Sequence, residues 1–318
     1  MTTPASLAFF DHPIFDVHAN FLITPATRQL RESITRWIWT GQTGALVYGK
    51  SRIGKTTAVL SIFNDIAKRD GKKVITNYCA IHKRDVASIR YIFKQLCLSA
   101  DRKVLKADTG EDMRDRFLAY LLDQCSERQC DTILLVIDEM QRLTIDQLEV
   151  FAELYDILHD HFKIHLFTLF VGNNPECWNL INAINNPSHE HIYGRFFTQG
   201  EELKGLTSHT EVKDCLKQYD CLRHPVNGPT YTQYFLQPDS PRNWQLTSLS
   251  QMIWSVYSEY KKQYKIRSWG VQYFASTIRI LLSDFISQED PSDIDEDIIS
   301  ECIKISGLIP SLVTKYND

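Results

Sequence analysis

The sequence has no long hydrophobic run, no internal repeat and no low-complexity tract. Its strongest apolar segment, Ile164–Val171, has the length of a strand and falls far short of the ~18 residues that cross a bilayer. The first residues lack the basic and apolar regions of a secretory signal, so we expect a cytoplasmic protein. The ordinary composition excludes collagen-like and intrinsically disordered proteins.

Closely spaced cysteine pairs are also missing, because the eight cysteines are scattered without a C-x-x-C motif. In a reducing compartment we expect most of them to be buried small side chains rather than disulfides. Cys215, Cys221 and His224 offer three ligands for zinc. A zinc site usually needs a fourth ligand and tighter spacing, so a structural role is favoured.

Charge is unevenly distributed along the 318 residues. Residues 28–106 contain 17 lysines and arginines against 5 acidic residues, a net charge of +12, whereas the whole chain carries −4. Residues 287–301 hold seven acidic residues and no basic one. This asymmetry is typical of a polyanion-binding face in the first region and an acidic docking segment in the second, although either region is also compatible with an ordinary solvated surface.

The alternation of short apolar runs with helical periodicity predicts an α/β fold with a central parallel sheet flanked by helices. Predicted strands cover 44–49, 72–81, 132–138 and 164–171, and predicted helices cover 27–39, 56–68, 86–98, 112–125 and 145–159. After about residue 202 the strands disappear, and helices are predicted over 210–219, 245–262, 271–283 and 294–305. We therefore expect an N-terminal extension (1–25), an α/β domain (26–205), a helical domain (206–286) and an acidic C-terminal segment (287–318).

The segment G-K-S-R-I-G-K-T matches the phosphate-binding pattern G-x-x-x-x-G-K-[ST] and lies between a predicted strand and a predicted helix. Its glycines allow backbone N–H groups to surround a phosphate, and the following helix directs its positive end there. Lys55 is expected at the β- and γ-phosphates of ATP, and the Thr56 hydroxyl at Mg²⁺. The predicted nucleotide-binding residues here are Gly49, Lys50, Ser51, Arg52, Ile53, Gly54, Lys55, Thr56 and Thr57.

Four further polar residues of the α/β region are candidates for the chemistry of the site. Asp138 ends a buried apolar strand and is predicted to lie at Mg²⁺, with Glu139 as the general base or water-positioning group. Asn173, in preference to Asn174, is predicted to contact the γ-phosphate or the attacking water. Arg195, in Y-G-R-F-F, is predicted to stabilise charge at a neighbouring subunit's γ-phosphate.

The order of these motifs resembles that of an AAA+ ATPase: the phosphate loop, then the strand ending in Asp138 and Glu139, then the polar strand end, then G-R-F. Arg242, ahead of a predicted helix, resembles the second sensor arginine in the helical lid of that family, and would contact nucleotide. Within the family the sequence is most similar to the TnsC/TniB type, the ATP-dependent regulators of transposition, with MuB as a functional analogue. The similarity lies in the compact size, the helix before the phosphate loop, the V-I-D-E-M-Q strand end and the small lid. The motifs of GTPases and ABC transporters, N-K-x-D and L-S-G-G-Q, are absent.

The resemblance implies an AAA+ P-loop NTPase with a small C-terminal lid that hydrolyses ATP with Mg²⁺. It implies a bacterial, DNA-associated protein whose ATP-bound subunits form a ring or helical filament, about six or seven subunits per turn, on double-stranded DNA without sequence specificity. Such an assembly links a target-recognition protein of the TniQ or TnsD type, CRISPR-associated or attachment-site, to the transposase. ATP hydrolysis then disassembles it.

Candidate DNA contacts come from the basic half of the sequence and are expected to touch phosphates rather than base edges. They are Lys83, Arg84, Arg102, Lys103 and Lys106. Two alternative functions stay open at this point. The first is another DNA-associated AAA+ protein, such as an initiator or a helicase loader. The second is a signalling NTPase that binds protein only.

Overall fold

A computed structural model describes residues 12–16, 22–83 and 88–309. The chain divides into two compact units. An α/β unit contains Thr27–Ser51 and Lys55–Leu203, and a helical unit contains the described parts of Met1–Ala26 and Lys204–Asp318 together with Arg52–Gly54. The fourfold division expected from the sequence stays a prediction.

The α/β unit is built on a five-stranded sheet in which every neighbouring pair is parallel. Its strands are β1 (Gly44–Gly49), β2 (Ile75–Ala80), β3 (Thr132–Asp138), β4 (His165–Asn173) and β5 (Gly200–Glu202). Their order across the sheet is β2-β3-β4-β1-β5. All seven residues of β3 are buried, as the unbroken apolar run T-I-L-L-V-I-D predicts for an inner strand.

Helices flank this sheet, which confirms the predicted fold class. They are α1 (Pro25–Trp39), α2 (Lys55–Ser61), α3 (Ile89–Ser99), α4 (Gly110–Arg128), α5 (Ile145–Phe162), α6 (Glu176–Ile184) and α7 (Glu190–Phe196). Local sequence sets several of their ends. Thr109 and Asp112 form a capping box at the start of α4, and Gln129 ends that helix in the left-handed conformation.

One prediction about the α/β unit was wrong in extent, and one strand was not predicted. The helix predicted over 56–68 ends at Ser61, because the chain continues through a 3₁₀ turn (Phe63–Asp65) into a short antiparallel pairing between Ala67 and Lys73. Ile66 is nevertheless completely buried, although it lies outside any helix. Strand β5 was missed because three residues without apolar character carry no alternation to recognise.

The helical unit contains α8 (His209–Cys221), α9 (Tyr231–Phe235), α10 (Ser250–Gln263), α11 (Val271–Ile280) and α12 (Glu296–Ile305). A π-helical turn, Leu281–Ile286, continues α11. Part of the acidic segment has a local structural role. Asp295 caps α12, and two further acids lie in its first turn, where they complement the helix dipole. Residues 310–318 lie outside the described part.

The eight cysteines are free thiols, and seven of them are buried, as the sequence predicts; Cys221 is exposed. Among the helices that the structure describes, none combines the length and apolar character needed to cross a membrane.

Candidate nucleotide-binding site

The predicted phosphate loop connects β1 to α2, so the strand–loop–helix context expected from its sequence is confirmed. Two of its residues have positive φ, Arg52 at 60° and Gly54 at 96°. Only glycine adopts the second value without strain, which accounts for the fixed glycine of the motif. Gly49 is the register partner of Asn173 on β4, so the loop begins level with the end of that strand.

Lys55 is buried, with 8% of its surface exposed, and its ammonium group has three oxygen acceptors. The Nζ atom donates to the carbonyl oxygens of Gly49 at 3.0 Å and Lys50 at 2.9 Å, and to Oδ1 of Asn173 at 2.7 Å. Burial lowers the pKa of Lys55, while the negative charges of Asp138 and Glu139 act in the opposite direction. A buried cation of this kind is stabilised by an anionic ligand, which fits a phosphate.

Asp138 lies at the end of β3, 4% exposed, and each of its oxygens accepts a hydrogen bond. Oδ2 accepts from the Thr56 hydroxyl at 2.6 Å and from the Tyr78 hydroxyl at 2.8 Å. Oδ1 accepts from the backbone N–H of Glu139 at 2.8 Å. Burial, followed by the negative charge of Asp138, raises the pKa of Tyr78.

This donor set fits Mg²⁺ better than a metal held entirely by protein. The described residues contain no group of three or more His, Cys, Asp or Glu side chains arranged for a metal ion. Mg²⁺ is usually bound through one or two carboxylates together with substrate phosphates and waters, and it prefers oxygen ligands. Thr56 and Asp138 supply a hydroxyl and a carboxylate of this kind, and an ion held there would neutralise charge on the phosphates.

Glu139 has a left-handed backbone conformation, with φ of 60°, and its carboxylate is held by residues of its own turn. Oε2 accepts from Gln141 Nε2 at 2.7 Å and lies 3.1 Å from Arg142 NH2. Arg142 also donates to the carbonyl oxygen of Ile81, just beyond the end of β2, at 2.7 Å. The predicted general base is thus restrained by an amide and a guanidinium in this conformation.

Asn173 is the asparagine whose side chain contacts Lys55, whereas Asn174 bonds through its backbone N–H to the carbonyl of Gly49 at 2.9 Å. The N–H of Asn173 donates to Gln141 Oε1 at 3.2 Å. Gln141 therefore bridges Asn173 and Glu139. Asn173 therefore lies beside Lys55, and its role toward a phosphate or water, in preference to Asn174, stays a prediction.

Arg195 lies within α7 rather than after a loop, and its guanidinium is folded onto α5 of the same chain. NH1 donates to Oδ1 of Asp156 at 2.7 Å and to the carbonyl of Ala152 at 3.2 Å. The group also lies over the ring of Tyr155, 5.1 Å from its centroid. None of these partners belongs to the phosphate loop, and the predicted contact of Arg195 with a neighbouring subunit's triphosphate stays a prediction.

Arg242 lies in an exposed turn of the helical unit, four residues before a 3₁₀ helix (Leu246–Leu249). Its carbonyl oxygen accepts from Gln233 Nε2 at 3.1 Å, which anchors the backbone of the turn. Its predicted contact with nucleotide stays a prediction.

Three predicted DNA contacts, Arg102, Lys103 and Lys106, are exposed on the loop between α3 and α4. The buried carboxylate of Asp108 stabilises this loop. Asp108 accepts from Arg116 at 2.6 Å and from the N–H of Leu105 at 2.7 Å. Arg102 rests on the ring of Tyr120, 4.8 Å from its centroid. The exposed lysines of this set are Lys83, Lys103 and Lys106, and Arg84 lies outside the described residues.

Sequence analysis missed three residues that contact the predicted site: Tyr78, Gln141 and Arg142. Arg142 stands three positions after Glu139, a spacing at which side chains on one turn can meet, so it could have been found. The i,i+2 spacing of Gln141 carries no such signal. Tyr78 gave none, because its partner Asp138 is 60 positions away.

Comparison with known proteins shows which kind of fold the α/β unit has. Residues 39–181 match an AAA domain. No curated protein sequence matches the chain. The α/β fold, with its five-stranded parallel sheet flanked by helices, is that of AAA+ P-loop NTPases.

Three solved structures have a similar fold at low identity. The ORC2 protein of Aeropyrum pernix, in ADPNP–ADP complexes, has a TM-score of 0.60 at 15% identity over 94% of this chain and 72% of its own. The ORC1 protein of the same organism, in complex with DNA, has a TM-score of 0.51 at 12% identity, covering 92% and 68%. A Walker-type ATPase of Pyrococcus abyssi has a TM-score of 0.51 at 16% identity, covering 96% and 79%. At these identities the likeness concerns the fold alone.

Proposed function

We propose that this protein binds and hydrolyses ATP with Mg²⁺. The observation that carries the proposal is the convergence of Lys55, the Thr56–Asp138 hydrogen bond and Glu139 where the phosphate loop meets the ends of β3 and β4. Lys55 and the loop bind the phosphates, and Thr56 and Asp138 hold Mg²⁺. Glu139 accepts a proton from the attacking water after its carboxylate has separated from Gln141 and Arg142.

The test uses purified protein with Mg²⁺ and ATP, and measures nucleotide binding and phosphate release separately. Lys55→Ala removes the buried cation and is expected to abolish nucleotide binding. Glu139→Gln is expected to bind ATP normally and lose hydrolysis by 10²-fold or more, on the order of what a positioned general base contributes. Lys72→Ala, an exposed lysine on the hairpin before β2, is the control and is expected to match wild type. Normal hydrolysis by Glu139→Gln contradicts the role assigned to Glu139.

We further propose that ATP-bound subunits assemble through Arg195. The support is positional, because Arg195 contacts α5 of its own chain and none of the described phosphate-loop residues. A neighbouring triphosphate offers more negative charge than the half-exposed Asp156, whose ion pair with Arg195 is worth ~1 kcal/mol or less. Arg195→Ala is expected to remain monomeric with a non-hydrolysable ATP analogue while still binding it. Assembly equal to wild type refutes this role.

Double-stranded DNA is the proposed polyanion for the basic half of the chain. The support is the net charge of residues 28–106 and the exposed lysines of the α3–α4 loop, held outward by Asp108. Replacing Lys103 and Lys106 together by alanine is expected to weaken binding to unrelated duplexes equally. It should also reduce the slope of log affinity against log salt by roughly 0.9 for each phosphate that is no longer neutralised. An unchanged slope argues against this loop as the DNA-binding surface.

The finer proposal is that the protein regulates transposition by linking a target-recognition protein to a transposase on DNA. It rests on the resemblance of motifs and compact size to the TnsC/TniB type. The second candidate is another DNA-associated AAA+ protein, such as an initiator, and its support is the fold shared with the ORC1 protein that was solved with DNA. A protein-only NTPase switch is the third and is favoured if salt-sensitive DNA binding is absent.

Electron microscopy with duplex DNA, comparing ATP with ADP, separates these candidates most directly. The transposition proposal expects a continuous ring or helical filament on DNA in ATP and its loss in ADP. Addition of a purified transposase is then expected to bind the ATP assembly. A protein that stays monomeric with a non-hydrolysable ATP analogue and excess duplex refutes both assembly and the transposition role.

A further inference from the structure

Tyr78, on the edge strand β2, contacts the proposed magnesium site although it is not one of its proposed ligands. The register of the parallel pair places Tyr78 opposite Val136, two positions before the Ala80–Asp138 pair. The tyrosine side chain spans this offset, and its hydroxyl donates to Oδ2 of Asp138 at 2.8 Å. The tyrosine therefore reaches from an outer strand to the carboxylate at the end of the inner strand.

The donors to Asp138 differ in their relation to the proposed metal ion. Thr56, which donates to Oδ2 at 2.6 Å, is itself the proposed ligand of Mg²⁺. The Glu139 N–H, which donates to Oδ1 at 2.8 Å, belongs to a turn that carries the proposed base. Tyr78 is neither a proposed ligand of the ion nor part of that turn, so its hydroxyl restrains the carboxylate from outside the proposed ligand set.

We propose that Tyr78 is a positioning residue for the magnesium site, acting through Asp138 and not on nucleotide itself. The inference rests on the proposed function. Its physical basis is that partners of a metal-site carboxylate set the orientation of that group, and their loss typically weakens metal affinity by about 10–100-fold.

A second tyrosine provides a matched control. Tyr120, on α4, donates from its hydroxyl to Oδ1 of Asn77 at 3.0 Å. Asn77 and Tyr78 are adjacent on β2, so their side chains point to opposite faces of the sheet. Tyr120→Phe therefore removes a hydroxyl bond to the same strand on the face away from Asp138. Tyr78→Phe removes one on the face of the site, and both variants keep the aromatic ring.

The experiment titrates Mg²⁺ against full-length protein mixed with a fluorescent, non-hydrolysable ATP analogue. The free Mg²⁺ concentration at half-maximal binding is expected to rise about tenfold in Tyr78→Phe. In Tyr120→Phe it should equal that of wild type. Binding of the analogue in excess EDTA should be the same in all three proteins. Their melting temperatures without nucleotide and Mg²⁺ are measured alongside.

Each outcome bears on one proposal. A Mg²⁺ midpoint in Tyr78→Phe within twofold of wild type overturns the positioning role, and so does an equal shift in Tyr120→Phe, which marks a general effect on β2. If Tyr78→Phe melts lower than Tyr120→Phe without a shifted midpoint, the hydroxyl is structural only. If wild type shows no Mg²⁺-dependent binding, the proposed function itself fails and the role of Tyr78 with it.

Discussion

Gly172 is the position where a single methyl group should disturb the end of β4. A Cβ atom built there lies 2.7 Å from Cβ of Cys177 and 2.9 Å from Cγ of Met140, and both neighbours are completely buried. Met140 has a flexible side chain, but Cβ of Cys177 is fixed to α6, so relief requires a backbone shift. The strand backbone itself accepts alanine, because φ at Gly172 lies outside the left-handed region.

The expected cost of Gly172→Ala follows from two opposing effects. Overpacking of a filled core lowers the free energy of unfolding by about 1–3 kcal/mol. Replacing glycine restricts the unfolded chain, which raises the free energy of unfolding by about 0.4–1 kcal/mol. We therefore expect a net loss of roughly 1–2 kcal/mol in the free energy of unfolding. Because Asn173 follows directly and contacts Lys55, a shifted backbone should also weaken nucleotide binding.

Gly194→Ala is the matched control, because the same atom added within α7 meets nothing within 4 Å. In a helix interior, alanine is favoured over glycine by about 1 kcal/mol, so this variant should be more stable than wild type. Urea unfolding followed by tryptophan fluorescence measures both. If Gly172→Ala is as stable as wild type, the close packing of β4 against α6 is wrong and the reasoning fails.

Two further predictions concern charge. Arg142→Ala removes a part-exposed partner of Glu139, worth ~1 kcal/mol, and should raise ATP turnover up to roughly fivefold. Arg114→Ala, which removes another part-exposed ion pair, should leave turnover unchanged. Reduced turnover in Arg142→Ala counts against restraint of the base. Burial, and then neighbouring His224, lowers the pKa of His12 from 6.5 to about 4. The unfolded chain then binds more protons between these values, so stability is complete above pH 6.5 and falls toward pH 4, by up to about 1.4 kcal/mol per pH unit. His12→Phe should flatten that dependence in unfolding measured across this range, and an unchanged slope contradicts the assignment.

Arg195 illustrates how one chain's structure bears on an assembly. The Y-G-R-F-F sequence indicates an arginine beside aromatics, and Phe196 next to it is fully buried. That anchor fixes the backbone, while the guanidinium lies on Asp156, 39 positions away. A proposed contact with a neighbour's triphosphate therefore concerns the guanidinium alone, which is 29% exposed.

Elements defined by neighbouring residues were predictable from sequence. The phosphate loop was recognisable because its glycines, lysine and threonine must follow one another on a single turn between strand and helix. Strand β3 was recognisable because a strand covered on both faces needs an unbroken apolar run, which leaves Asp138 conspicuous at its end. The order of strand, loop and helix then indicated the α/β class.

Tertiary structure alone decided which distant side chains meet. Nothing in the sequence near Tyr78 indicates Asp138. The order of motifs predicted Lys55 and Asn173 near the same phosphate, but only the structure shows their direct hydrogen bond across 118 positions. The end of α2 at Ser61 was likewise not predictable, because it is followed by a backbone pairing between Ala67 and Lys73. Local patterns report the conformation of a segment because its atoms are bonded in series, whereas the register of parallel strands and the packing between them determine which side chains share a site.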